Sequence, residues 1–94
     1  MKAELLQRQR YVFEDGSILE MVIWRVPKPV PGSRHAYRYR LYYGRSGKRL
    51  IGYDNERPKG DHRHVEGREE PYVFIDVETL VRDFLSDVAQ RRSR

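Results

Sequence analysis

The chain predicts an α+β fold: an antiparallel sheet of four to five strands with one C-terminal amphipathic helix packed on one face. Three observations carry that expectation. Residues 37–43, Tyr-Arg-Tyr-Arg-Leu-Tyr-Tyr, alternate with a period of two. Asp15-Gly16 separates two apolar stretches and has the composition of a tight hairpin turn. Val77, Leu80, Val81, Phe84, Leu85 and Val88 recur at the spacing of one helix face.

Residues 8–14, with Tyr11 and Phe13 alternating, form the first expected strand. The second runs from Ser17 to Val26 and is apolar on both faces, which places it centrally and puts Trp24 in the core. A two-residue Asp15-Gly16 turn sets Phe13 opposite Ile18 and Val12 opposite Leu19. Pro27, Pro29 and Pro31 then remove ladder donors and give a stiff connection. In the third strand Tyr37, Tyr39, Leu41 and Tyr43 face one way, and Arg38, Arg40 and Tyr42 the other. A three-residue Arg45-Ser46-Gly47 turn pairs Leu41 with Ile51, Tyr39 with Tyr53 and Tyr42 with Leu50, and offers Asp54 to Arg38 as a counter-charge. A two-residue turn would instead set Tyr39 opposite Asp54. Residues 54–71 read as a polar functional loop, and Tyr72-Val73-Phe74-Ile75 as a fifth strand. Asp76 is the N-cap of a helix of about three turns whose polar face holds Glu78, Arg82, Asp83 and Asp87. The whole, 1–94, reads as a single domain ending in a solvated basic tail, 91–94.

Composition narrows the function. Nineteen bases against fourteen acids give a formal charge of +5, which suits a polyanionic partner such as RNA. The absence of cysteine removes disulfides, thiolate metal sites and cysteine nucleophiles. No apolar run approaches the roughly 20 residues that span a bilayer. No apolar signal core follows Met1, so the expectation is a cytoplasmic protein without a membrane partner. Neither a glycine-rich phosphate loop nor a nucleophile elbow is present, which argues against dinucleotide and kinase chemistry.

The chemistry-bearing segment is Asp54-Asn55-Glu56-Arg57-Pro58-Lys59-Gly60-Asp61-His62-Arg63-His64. Extended, it projects His62 and His64 to one face and Arg63 to the other. Two imidazoles can supply one base and one acid near neutral pH, and RNA cleavage needs little more than that pair and cations around the phosphorane. Arg38, Arg40, Lys59 and Arg63 are candidate phosphate contacts; Asp54 or Glu56 can orient a histidine or act as the base. Two readings stand beside this one. In the first, the histidines simply decorate a solvated loop, with Arg38 and Arg40 paired to acids across the sheet. Alternatively, His62 and His64 with Asp54, Glu56 or Asp61, and His35 if its loop folds near, could bind a divalent metal, although no zinc spacing is matched. The metal-independent site, without a cofactor, is preferred.

The order Asp15-Gly16, Glu20, Ile23-Trp24-Arg25, His35, Tyr37-Arg38-Tyr39-Arg40-Leu41, Asp54-Asn55-Glu56, Gly60-Asp61-His62-Arg63-His64 and Asp83-Phe84 resembles the TumE-type toxins of bacterial and archaeal toxin–antitoxin systems over nearly the whole chain. The resemblance implies a growth-inhibiting toxin of ribonuclease type, neutralised by a cognate antitoxin with a helix-turn-helix DNA-binding domain. It carries weight to Asp54, Asn55, Glu56, His62 and His64, and less firmly to Arg25, His35 and Arg38 as supporting residues. The expectation is therefore an endoribonuclease with His62, His64 and Asp54 as catalytic groups and Arg38, Arg40, Lys59 and Arg63 on the substrate. A non-catalytic nucleic-acid- or protein-binding module and a metal-dependent nuclease are the alternatives. Exposed sheet edges would also allow a homodimer.

Overall fold

Six strands follow one another in space as they do in sequence, and the helix closes one side of them. In the computed structural model, which describes residues 2–56 and 59–93, these are β1 (Glu4–Val12), β2 (Ile18–Arg25), β3 (Tyr37–Arg45), β4 (Lys48–Asp54), β5 (His62–Val65), β6 (Arg68–Pro71) and α1 (Val77–Arg92). The sheet is an antiparallel meander in the order β1-β2-β3-β4-β5-β6. Arg57, Pro58 and Arg94, which belong to the expected loop and tail, lie outside the described residues.

The strand count corrects the expectation of four or five. Most of the expected 54–71 loop is a hairpin, turned at Glu66-Gly67 with both φ angles positive (50° and 86°). Its strands carry charges on both faces, so no apolar alternation announced them. Tyr72–Ile75 forms no strand. Its rings pack on the helix side, Phe74 on His35 and Tyr72 on Tyr53, and the Tyr72 N–H donates to the Asp61 carbonyl.

Both hairpin registers differ from those expected. Glu14-Asp15-Gly16 makes a three-residue loop, so Val12 faces Ile18 and Tyr11 faces Leu19. Asp15 stabilises it by accepting from the Ser17 N–H and hydroxyl. The β3–β4 turn is the two-residue Ser46-Gly47, and a bulge at Leu50 adds one more step. Leu41 therefore faces Tyr53, Tyr43 faces Ile51, Tyr42 faces Gly52, and Asp54 faces Arg40 rather than Arg38 or Tyr39. The preferred register was wrong by two residues, a slip that leaves every side chain on its correct face.

One face of the sheet holds the core: Leu19, Met21 and Ile23 of β2, Tyr39, Leu41 and Tyr43 of β3, and Ile51 and Tyr53 of β4 meet Leu80, Phe84 and Val88 of α1. Asp76 caps the helix, its carboxylate accepting from the Thr79 N–H at 2.7 Å. Arg91 and Arg92 are its last turn, not a solvated tail. Arg91 pairs with Glu66, while Arg92 lies 3.6 Å over the Phe13 ring and donates to Ser17 and Tyr43. The helix packs over β4, leaving β1 exposed along nearly its whole length. Among the described residues no helix lies over the other face of the sheet, and Trp24 belongs to that face, half-buried, rather than to the core.

Candidate functional site on the open sheet face

Alternation delivers the histidines to the uncovered face. Asp54 sits opposite His62 and Gly52 opposite His64 across the β4–β5 ladder. Continued through the sheet, the registers make two rows of neighbours on that face. One row reads Arg8, Val22, Arg40, Asp54, His62; the other reads Arg10, Glu20, Tyr42, Gly52, His64, Glu69. Arg38 lies beside Trp24, one step further along β3. Among the described residues no carboxylate lies within ion-pair distance of Arg8, Arg10, Arg38 or Arg40.

His62 is the most enclosed member, with a side chain 8% exposed. Its Nδ1 stands 2.9 Å from the Gly60 carbonyl, which can only accept, so Nδ1 carries a proton and Nε2 is the nitrogen turned to the neighbouring carboxylates. That Nε2 lies 2.7 Å from Asp54 Oδ1 and 3.7 Å from Glu69 Oε1. The Asp54 oxygen is buried and off the hydrogen-bond line, so the contact is an ion-pair approach without an aligned donor.

His64 is set differently. The Arg49 guanidinium, which can only donate, points at His64 Nδ1 from 3.0 Å, so the ring's proton is on Nε2. Gly52 makes that reach available: a Cβ there would come within 2.7 Å of Arg49 Cδ. Burial first, and then the charge of Arg49, hold the His64 imidazole below its ordinary range. The two rings meet edge to face at 5.0 Å between centroids.

Not every expected site residue joins them. Arg63 points to the helix side, as alternation requires, and binds Glu70, Asp87 and the Tyr53 hydroxyl. It anchors α1 to the sheet and does not reach the histidines' face. Lys59 is committed to Glu69 at 3.2 Å and, with Asp61, His62, Glu70 and Pro71, lines a cavity of about 360 Å³ beside His62. Its hydrogen bond draws the Glu69 carboxyl below its usual range. Arg25 pairs with Glu4 at the exposed edge, and Glu56 is exposed. Asn55 is fully buried, accepting from the Tyr39 N–H and donating to the Tyr37 carbonyl and Ser33 hydroxyl, so it closes the end of the β3–β4 pair.

His35 belongs to a second cluster, on the helix side. There the Asp61 carboxylate accepts from Ser33 Oγ, His35 Nε2 and the Tyr39 hydroxyl at 2.6, 2.6 and 2.7 Å, and Phe74 stacks on the imidazole at 3.7 Å. Burial, then the bond to Asp61, push the Tyr39 phenol far above its ordinary range, so it stays a donor. This lock clamps the segment leading into His62 onto the β2–β3 connection. Gly60 is where the two backbones touch: its φ is +78°, and a Cβ would come 2.5 Å from the Gly32 carbonyl oxygen. The sequence reading missed Asp61 in this role, Arg49 and Glu69. Gly52, a glycine inside an apolar strand, was the available signal of a close approach there.

Chemically, the open face offers an imidazole between two carboxylates, a second imidazole held below its ordinary range, and arginines nearby that have no ion-pair partner among the described residues. Ligand atoms of Asp54, His62 and His64 also lie within 4.8 Å of one another, so a divalent cation has candidate donors. With the present tautomer His64 would have to release Arg49 to ligate through Nδ1, and the guanidinium charge opposes a cation there. No described helix is long and apolar enough to cross a membrane.

No curated protein and no solved structure matches the chain. The family described as Toxin TumE matches residues 2–92, nearly the whole length. The chain therefore belongs to the TumE toxin family, which makes it a toxin of the toxin–antitoxin kind and implies an antitoxin partner.

Proposed function

We propose that this toxin is a metal-independent endoribonuclease whose acid–base pair is His62 and His64, acting in the cytoplasm until a DNA-binding, helix-turn-helix antitoxin covers it. The observation that supports the reading most is the convergence of both imidazoles with Asp54, Arg49 and Arg40 on the face of the sheet without a helix.

The hydrogen bonds support a division of roles. His64, whose neutral form is favoured, is the base. Its Nδ1 lone pair is held by Arg49, and an arriving phosphate competes for that guanidinium. Releasing Arg49 to the phosphate frees the lone pair as negative charge enters the site. Nδ1 then removes the 2′-hydroxyl proton, the 2′-oxygen attacks phosphorus, and the bond from phosphorus to the 5′-oxygen breaks. His62, fixed by Gly60 and placed between Asp54 and Glu69, hands its Nε2 proton to the departing 5′-oxygen. The products are a 2′,3′-cyclic phosphate and a 5′-hydroxyl end. Arg40 and Arg38 neutralise the phosphorane.

The test is RNA cleavage and growth arrest by His62→Ala and His64→Ala, each in the presence of chelator. Loss of either acid–base partner should slow cleavage by about 10²–10⁴-fold with the helix signal retained. Full toxicity in both single variants and the double variant would defeat the assignment. Wild-type cleavage that chelator abolishes and only added zinc or manganese restores would transfer the role of Asp54, His62 and His64 to metal binding.

A further inference from the structure

The open face is longer than an acid–base pair needs. Four strand spacings separate β1 from β5, about 19 Å. Over that span the exposed cations are Arg8 and Arg10 on β1, Arg38 and Arg40 on β3, and Arg49 on β4. Among the described strand residues the opposing carboxylates of this face are few: Asp54 lies against His62, Glu69 is held by Lys59, and half-buried Glu20 stands opposite Arg10. Trp24 and Tyr42, both half-buried, lie among the arginines. Tyr42 lies along its own strand over Gly44, where no side chain displaces it, with Arg40 Cζ at 5.7 Å from its centroid. Trp24 has Leu5 on one side and Arg38 on the other.

We propose that this face is a track for single-stranded RNA, running from Arg8 and Arg10 on the edge strand, past Trp24 and Tyr42, to the histidine pair. The assignment rests on the ribonuclease reading for the end of the track and on charge complementarity for the rest. The arginines on β1 and β3 follow a phosphate backbone. The aromatic faces between them take unpaired bases, because stacking requires bases that are not already in a helix. The face runs across the strands of an antiparallel sheet and is a few nucleotides wide. Arg8 and Arg10 belong to a strand that makes no part of the core and carries no group of the acid–base site, so their place in the track can be tested apart from catalysis.

Trp24 is the sole tryptophan of the chain and reports on the track directly. The probe is a short mixed-sequence oligoribonucleotide with 2′-O-methyl groups, which binds but lacks the cleavage nucleophile. In the wild-type protein it should quench Trp24 fluorescence on binding, and the same sequence as a duplex should not. Arg8→Ala/Arg10→Ala should fold normally by circular dichroism and lower the slope of log affinity against log salt by about 1.4. Trp24→Phe, read by anisotropy of a labelled probe, should retain binding, because a phenyl ring still stacks; Trp24→Ala should weaken it roughly ten-fold. Absence of quenching, an unchanged salt slope in the double arginine variant, or equal quenching by polyglutamate would overturn the track; the last would mark the face as a site for an acidic protein segment. Failure of the ribonuclease reading looks different. Binding and quenching would persist while unprotected RNA yielded no product. If the track alone fails, wild type and the double arginine variant cleave equally.

Discussion

Asp61→Asn removes a charge and one acceptor from the lock that orients His62, and its cost can be worked from the contacts. The carboxylate takes three donors, and none of them can turn away freely. His35 Nδ1 accepts from the Tyr37 N–H, so its Nε2 carries a proton that must be accepted. Tyr39 stays protonated. The Ser33 oxygen already accepts from Asn55. An asparagine keeps one oxygen, which best serves His35 and Tyr39, and turns its amide toward Ser33. One hydroxyl donor is then stranded, worth about 1–3 kcal/mol, and two charge-assisted bonds become neutral ones at about 1 kcal/mol together. The sum is roughly 2–4 kcal/mol against a total of about 5–14 kcal/mol for a chain of this length. The variant should fold and melt roughly 10–30 °C lower. Thermal and urea unfolding followed by circular dichroism measure it, and Tyr39→Phe alone and combined with Asp61→Asn gives the coupling. Below its melting range the variant should lose kcat more than KM, because the Gly60 carbonyl no longer holds the His62 ring. A stability change under about 0.5 kcal/mol would refute the claim that these three bonds hold the segment.

Two further outcomes follow from the same geometry. Arg49→Ala removes a cation beside His64 and so raises that imidazole toward its ordinary range; the base must be unprotonated, so the acid limb of the kcat/KM profile should move to higher pH, whatever happens to the maximal rate. An acid limb that stays in place would remove His64 as the base. Phe84→Ala should cost about 3–5 kcal/mol in urea unfolding, since the ring is fully buried and meets Tyr53 edge to face at 5.7 Å.

The sequence was legible where apolar period and local chemistry agreed. The helix follows from Asp76 and the Val77–Val88 spacing, and runs further, to Arg92, because Arg91 and Arg92 find partners at Glu66, Phe13 and Tyr43. The two faces of β3 were readable from its alternation, whereas its register was not, because a bulge at Leu50 leaves no mark in composition. The β5–β6 hairpin was hidden because its stability does not come from an apolar stripe. His62, Arg63, Glu69 and Glu70 are held by ion pairs, and a charged alternation reads the same as a loop. The same applied to the site. That His62 and His64 share a face follows from spacing two apart, and by the same rule Arg63 points to the opposite face, which belongs to the helix. Arg49 became a neighbour of His64 only through the ladder and the missing side chain at Gly52.

The division between faces also decides how substitutions should distribute. On β3 and β4 the core residues Tyr39, Leu41, Tyr43, Ile51 and Tyr53 alternate with residues of the open face, so neighbours in sequence carry opposite burdens. Arg40 is exposed and unpaired among the described residues, so its loss removes no buried contact. Tyr53, one position before Asp54, is fully buried, and its hydroxyl donates to Asp87 on α1. His62 is the exception. It is a group of the open face that is nonetheless enclosed, tied to Gly60 and pressed against Asp54, and replacing it leaves the Gly60 carbonyl without its donor and the Asp54 charge without its neighbour. The proposed acid–base site thus meets the folding of the chain at His62, and the Asp61 lock on the far side of the sheet serves both by fixing the backbone that leads into it.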